Sequence, residues 1–345
     1  MAPLVIFRAD AAPAMGGGHV QRCLALGEAL VEAGWRSAFA FRSGTLETVP
    51  ALANSPHRLL PLEGAEDEEP ALLASKIGSR CDLLVVDHYG RGPAFETACR
   101  RFTFRIMAIE DQPNRRHDCE LLLDPTPGRR AVDYQHLVPA VCKLLLGPTY
   151  ALLRGQFAKS RQAALARRSR GDSPKRIFVS LGTTDSRNLT AAVLQGIADS
   201  AAGLAVDIVI GSAAPHLAAL RQLAGALRLD ARLHVDADNV AELMGEADLA
   251  IGAAGSSSFE RCCLGLPSLL VIAADNQCDI AAALIDAGAA ELVEPGDLAR
   301  SVARGVKRLC AGAQARVAMA EAAARLCDGR GAARVASELL APAQA

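Results

Sequence analysis

The 345 residues predict an α/β protein of two doubly wound, Rossmann-like domains that face each other across a cleft. Three observations carry this. Short aliphatic runs alternate with helically spaced segments along the whole chain, the pattern of parallel sheets covered on both faces. The alternation breaks once, at a basic, Gly/Pro-containing stretch, and then restarts. Each half also opens in the same order: strand, Gly-containing polar loop, helix. The domains are expected at 1–157 and 175–345, with a linker at 158–174.

The first series of strands is expected at Leu4–Phe7, Ala38–Phe41, Arg58–Leu62, Leu83–Asp87, Phe104–Ile109, Leu121–Asp124 and Leu144–Leu146. Helical patterns such as Glu69–Ile77 and Pro93–Arg101 separate most of them. Tyr150–Arg168 reads as a helix that becomes basic, and its run of Lys159, Arg161, Arg167, Arg168 and Arg170 is expected to be a solvated helix end rather than a nucleic-acid site. The second series runs Arg176–Leu181, Ala205–Ile210, Arg232–Val235, Leu249–Ile251, Ser268–Ile272 and Ala290–Val293. Two Ala/Arg-rich helical segments are expected to finish the chain.

Composition narrows the function classes. The chain is 51% hydrophobic but only 4% aromatic, so its core must be aliphatic. Lys plus Arg (37) balances Asp plus Glu (38), which gives no electrostatic reason to expect nucleic acid as a partner. The ten cysteines include no C-x-x-C pair, so they read as buried thiols in a reducing compartment, and no metal or other cofactor is expected. No apolar run is long enough to span a membrane, and no basic leader precedes the first strand. A cytoplasmic monomer is the expectation.

The chemistry is expected in five places. Gly16-Gly17-Gly18-His19 lies between the first strand and an amphipathic helix that Gly34 should cap. Free N–H groups and the dipole make that helix start an anion site, and the same field disfavours imidazolium, favouring a neutral His19. Arg22, three residues on, can share one side of that turn and help hold an anion. Gly182-Thr183-Thr184-Asp185 occupies the equivalent loop of the second half; it suits a phosphate, or is a capped turn. Gly255-Ser256-Ser257-Ser258 with Glu260 combines close backbone approach, hydroxyl donors and a carboxylate able to accept from a ribose diol. Asn276-Gln277 ends the next strand, where amides can read sugar hydroxyls or phosphate oxygens. Asp87-His88-Tyr89 with Glu110-Asp111 sits at strand ends, where a carboxylate can orient a histidine or bind sugar hydroxyls; the spacing supports no Ser–His–Asp arrangement.

Along Phe7–Asp10, Gly16–Leu26, Val85–Tyr89, His117–Asp124, Leu146–Arg154, Gly255–Pro267 and Asn276-Gln277 the chain resembles the UDP-sugar hydrolases of pseudaminic acid biosynthesis, the UDP-2,4-diacetamido-2,4,6-trideoxy-β-L-altropyranose hydrolases. The resemblance implies a GT-B fold related to the peptidoglycan N-acetylglucosaminyltransferase. It implies that Gly16, Gly17 and Gly18 face the sugar and that His19 is the general base for water. It further implies that Gly255, Ser256 and Ser257 hold the phosphates, Glu260 the ribose, and Asn276 and Gln277 the diphosphate or sugar. Tyr150 and Arg154 match a further motif, and Arg22, Asp87, Tyr89, Gly182 and Thr183 complete the candidate substrate-binding set. Thr183 stands where the family has a second glycine, which restricts the backbone there. Pro125-Thr126 replaces a Gln-Asn pair.

The expected reaction is hydrolysis of a UDP-linked amino sugar, with water attacking the anomeric carbon opposite UDP and inverting it. A UDP-sugar glycosyltransferase using the same histidine on an acceptor hydroxyl is the first alternative. A non-catalytic nucleotide-sugar binding protein is the second.

Overall fold

The computed structural model describes residues 2–200, 202–294 and 296–340. It contains two compact α/β units. The first holds seven parallel strands: β1 (Leu4–Ala9), β2 (Arg36–Phe41), β3 (Arg58–Pro61), β4 (Cys81–Asp87), β5 (Thr103–Ile109), β6 (Leu121–Asp124) and β7 (Lys143–Leu146). Their order is β3-β2-β1-β4-β5-β6-β7. The chain winds outward from β1 in one direction and then returns to start β4 on its other side. The carboxyl ends of β1 and β4 therefore flank the switch point, where open sheets of this kind bind ligands.

Strand alternation decides which side chains reach which face. Val5, Phe7, Leu83, Val85, Met107, Ile109, Leu121 and Leu123 enter one core cluster, together with Val20, Leu24 and Leu30 from the helix Gly18–Glu32. Ile6, Leu84, Val86, Ile106, Ala108 and Leu122 enter the opposite one. Asp87 continues the odd-numbered series of β4, which places it on the face covered by Gly18–Glu32. That helix stops at Gly34, whose φ of +88° closes the end; the Trp35 amide donates to the Leu30 carbonyl at 3.0 Å.

The second unit repeats the plan with β8 (Arg176–Ser180), β9 (Ala205–Ile210), β10 (Ala231–Val235), β11 (Leu249–Ala253), β12 (Ser268–Val271) and β13 (Glu291–Leu292). Its order is β10-β9-β8-β11-β12-β13, so the switch point lies between β8 and β11. Ile177, Val179, Leu249, Ile251, Leu269 and Val271 build its core, with Val193, Leu194, Val302 and Val306 from covering helices.

Three expectations change. The crossover into the second unit falls at Arg154–Gly155, and the helix Gly155–Arg168 belongs wholly to that unit, so 158–174 is not a free linker. Its basic residues are not all solvated. Arg168 is buried, donating to the Ala164, Met244 and Ala247 carbonyls, and Arg161 donates to those of Cys263, Ala324 and Cys327. These arginines satisfy carbonyls at helix C-terminal ends, a task that their clustering in sequence disguises as a solvated charge run. Finally, the helix Gly331–Leu340 packs with the first unit rather than closing the second. Ala332, Val335, Ala336 and Leu339 complete the core of the first sheet, and Lys143 pairs with Glu338. Gly331 has no room for a Cβ against the Tyr150 and Ala151 backbone, which lets the helix dock there.

Seven of the ten cysteines are buried and none of the ten is bridged. No helix among the described residues is long and apolar enough to cross a membrane, and no group of three or more metal-ligating side chains occurs among them.

Candidate active site

In the first unit, His19, Arg22 and Cys23 lie on one side of the helix Gly18–Glu32, at spacings of three and four residues. That side meets the carboxyl end of β4. His19 Nδ1 stands 2.5 Å from Asp87 Oδ1. Arg22 grips the same carboxylate with both prongs, Nε to Oδ2 at 2.6 Å and Nη2 to Oδ1 at 2.7 Å. The Cys23 thiol adds a contact at 3.6 Å. Burial by itself would raise the Asp87 pKa; the Arg22 charge, His19 and the hydrogen bonds from both together outweigh it and hold the carboxyl well below the usual range.

An ionised carboxylate can only accept, so Nδ1 of His19 must carry the proton between them. In its neutral form the ring then presents Nε2 as its acceptor. Arg22 Nη2 also lies 3.3 Å from Nδ1, but a protonated nitrogen cannot accept from it, and the shorter carboxylate contact decides the tautomer. Arg22 extends to Asp111 through Nη1 at 3.3 Å, and Asp111 accepts from the Tyr89 hydroxyl at 2.8 Å. The Tyr89 ring packs edge-on against the imidazole, with centroids 4.9 Å apart. His19 is thus held from below by Asp87 and from the side by Tyr89, itself 36% exposed.

This arrangement reassigns two candidates. Asp87 is fully buried with both oxygens occupied, and Arg22 spends its guanidinium on Asp87 and Asp111. Neither is disposed to bind substrate; both fix the histidine. The other strand-end clusters are internal as well. Arg8, Arg42 and Arg91 converge on Glu69, whose pKa burial would raise but whose arginine partners depress to about 2. Asp10 accepts from Arg8 and from the Arg42 amide, and His88 Nε2 lies 3.2 Å from it. Glu96 and Glu110 flank His117, raising its pKa to about 9 against the opposing effect of burial. Tyr150 packs against the first core, and the Arg154 charge is felt by Glu28 of the first helix.

In the second unit, two predicted loops lie side by side at the β8/β11 switch point. After β8, Gly182 adopts φ +102° and the Thr183 carbonyl accepts from Gly211 at 2.7 Å. Asp185 accepts from the Leu189 and Thr190 amides, each at 2.9 Å, and so caps the helix Leu189–Asp199. The capped-turn alternative therefore accounts for Asp185. Pro13–Gly18 clusters with this unit, where Thr184 Oγ1 donates to the Pro13 carbonyl at 2.9 Å. After β11, Gly255 and Ser256 lead into the helix Ser257–Cys263, with Glu260 half-buried in its first turn. Gln277 Oε1 accepts from the Ala273 amide at 2.9 Å, which fixes the Asn276-Gln277 turn.

The chain can now be set beside known proteins. Residues 176–338 match the glycosyltransferase family 28 C-terminal domain. The crystal structure of Acinetobacter baumannii MurG superposes with a TM-score of 0.68 over 99% of both chains, at 15% identity. The chain has the GT-B fold. It also resembles the UDP-2,4-diacetamido-2,4,6-trideoxy-β-L-altropyranose hydrolase of Campylobacter jejuni, 28% identical over 254 residues, which cover 73% of this chain and 85% of that protein. The spore coat polysaccharide biosynthesis protein SpsG of Bacillus subtilis is 29% identical over 206 residues, 56% of this chain and 57% of that one.

One residue of this GT-B protein escaped the sequence reading. Arg261 lies buried beneath the β11 loop, donating to the Ala253 carbonyl at 2.7 Å, Ser258 Oγ at 2.9 Å and Ser257 Oγ at 3.2 Å. Burial pulls its pKa down to about 10. A side chain at Gly252 would collide with its guanidinium. The Gly/Ser composition of the loop therefore partly serves to seat this arginine; the signal was Arg261 at i+3 and i+4 from two serines.

Proposed function

We propose that the protein hydrolyses a UDP-linked 2,4-diacetamido-2,4,6-trideoxy sugar to UDP and the free sugar, a step of pseudaminic acid biosynthesis. The observation that carries this reading is the His19–Asp87 pair, joined to the resemblance to the Campylobacter jejuni hydrolase. His19 Nε2 takes a proton from water as the oxygen bonds to the anomeric carbon. The bond from that carbon to the diphosphate oxygen breaks, and UDP leaves with the electron pair. Asp87 stabilises the imidazolium that forms, by the logic of a carboxylate-supported histidine base. Attack opposite the leaving group inverts the anomeric carbon.

UDP is assigned to the second unit, with Gly255, Ser256 and Ser257 on the diphosphate, Glu260 on the ribose, and Asn276 and Gln277 beside them. N–H groups at the start of the helix Ser257–Cys263 favour the growing negative charge. Gly16–Gly18 and Tyr89 face the sugar in this scheme, with Tyr150 and Arg154 flanking it, and no cofactor takes part.

The glycosyltransferase family 28 match favours a second reading, transfer to an acceptor hydroxyl by the same histidine. NMR of the UDP-sugar with enzyme alone decides between them. Release of UDP with an inverted free sugar supports hydrolysis; turnover only when an acceptor alcohol is added overturns it.

A further inference from the structure

A pocket of about 440 Å³ opens in the second unit between the end of the helix Gly155–Arg168, the turn Arg170–Ser173 and the start of β8, away from the β8/β11 loops. Five cations line it: Arg167, Arg168, Arg170, Lys175 and Arg316. Its carboxylates are Asp172 and Asp248. Asp248 is already engaged, accepting from Arg167 Nη2 at 2.7 Å and from the Lys175 and Arg176 amides at 2.8 and 3.0 Å.

Two of the cations are themselves interior groups. Arg168 is 8% exposed and Arg316 6%. Elsewhere in this molecule the buried arginines of the first unit have carboxylate partners: Arg8 has Asp10 and Glu69, Arg22 has Asp87, and Arg91 has Glu69. Among the described residues Arg168 and Arg316 hydrogen-bond only to carbonyls, and Arg168 feels the Asp248 carboxylate only at longer range. Arg168 donates to Ala164, Met244 and Ala247, and its Nε has no partner among the described residues. Arg316 donates to Leu309, Cys310, Gly171 and Asp172. Carbonyl dipoles satisfy donors but supply no countercharge, and a buried charge without one is costly. Burial, with Arg167 nearby, outweighs the attraction of Asp248 and pulls the Arg168 pKa down to about 10.

We propose that this pocket binds a phosphate-bearing small anion, at a site separate from the nucleotide loops. The anion adds countercharge beside Arg168 and Arg316, whose hydrogen bonds go only to carbonyls among the described residues, and exposed Arg170 and Lys175 close over its outer oxygens. A phosphate group fits because its several oxygens can accept from guanidinium and ammonium donors at once. The cavity is concave, with the interior residues Arg168, Pro267 and Arg316 in its lining beneath the exposed Arg167, Arg170 and Lys175, which suits a soluble ligand.

The test titrates inorganic phosphate and diphosphate into the whole protein by calorimetry, at constant ionic strength in chloride, with and without saturating UDP. Saturable binding that UDP leaves unchanged, and that weakens at least about tenfold in R170E/K175E, is expected. R170Q/K175Q repeats the measurement if the charge reversal fails to fold. Absence of saturable binding, equal affinity in the variants, or displacement by UDP overturns the proposal. Phosphatidylglycerol vesicles form a second arm: cosedimentation without phosphate binding would place a lipid surface here and overturn the soluble site.

Discussion

Asp87 Oδ1 and His19 Nδ1 lie 2.5 Å apart although 68 residues separate them in the chain. The carboxylate is buried and clamped by Arg22, so it cannot turn away from the imidazole. Asp87→Asn keeps the shape but offers an amide that can donate to Nδ1, which moves the ring proton to Nε2 and removes the acceptor that the proposed mechanism uses as its base. UDP release should fall about 10²–10⁴-fold in kcat with KM nearly unchanged. His19→Ala should fall as far, and the double variant little further, since the pair acts as one unit. Steady-state assays of the three variants with the UDP-sugar check this; additive losses would contradict it.

Arg22→Met removes the cation that keeps Asp87 ionised and leaves a buried carboxylate without its main partner. Breaking such a pair costs about 3–5 kcal/mol. Urea unfolding should show that loss in the midpoint with an unchanged slope.

Glu69 balances Arg8, Arg42 and Arg91. Its folded pKa is lowered to about 2, so its contribution is fully present above the unfolded value near 4.5 and is lost as pH falls through about 2. His117 works in the opposite sense. Its folded pKa is raised to about 9, so the stability it contributes is fully present below about 6.5 and is lost as pH rises through 9. Melting temperatures from pH 2 to 10 should show both slopes. Glu69→Gln should flatten the acid limb and His117→Gln the alkaline one; an unaltered limb in either variant removes that assignment.

Gly331→Ala places a methyl group against the Tyr150 and Ala151 backbone. Overpacking of this kind costs about 1–3 kcal/mol. Hydrogen exchange should localise the loss to Gly331–Leu340 and the β7 edge of the first sheet, where Lys143 meets Glu338.

Glu260→Ala should raise KM for the UDP-sugar by about tenfold with a smaller change in kcat, the pattern of lost ground-state binding. An unchanged KM would remove Glu260 from the ribose.

The sequence by itself determined the alternating elements and the two-sheet class. β6 and the helix Glu69–Ile77 appear where the aliphatic runs and helical spacing put them, because burial and local backbone preference act over a few residues. It also put the candidate loops after β1, β8 and β11, since Gly-rich punctuation follows buried strands. Tertiary structure alone decided what those polar residues touch. Asp87 meets His19 because β4 inserts beside β1 and its odd-numbered side chains face the first helix, a consequence of strand order that no local spacing encodes. Arg161 and Arg168 looked like a solvated helix end because a charge run carries no record of the carbonyls that await it. The last helix, Ala-rich and without distinctive landmarks, returned to the first unit because Ala332, Val335, Ala336 and Leu339 fill the core there and Gly331 leaves room to dock. Patterning sets which faces are buried; only the folded packing selects the partner that buries them.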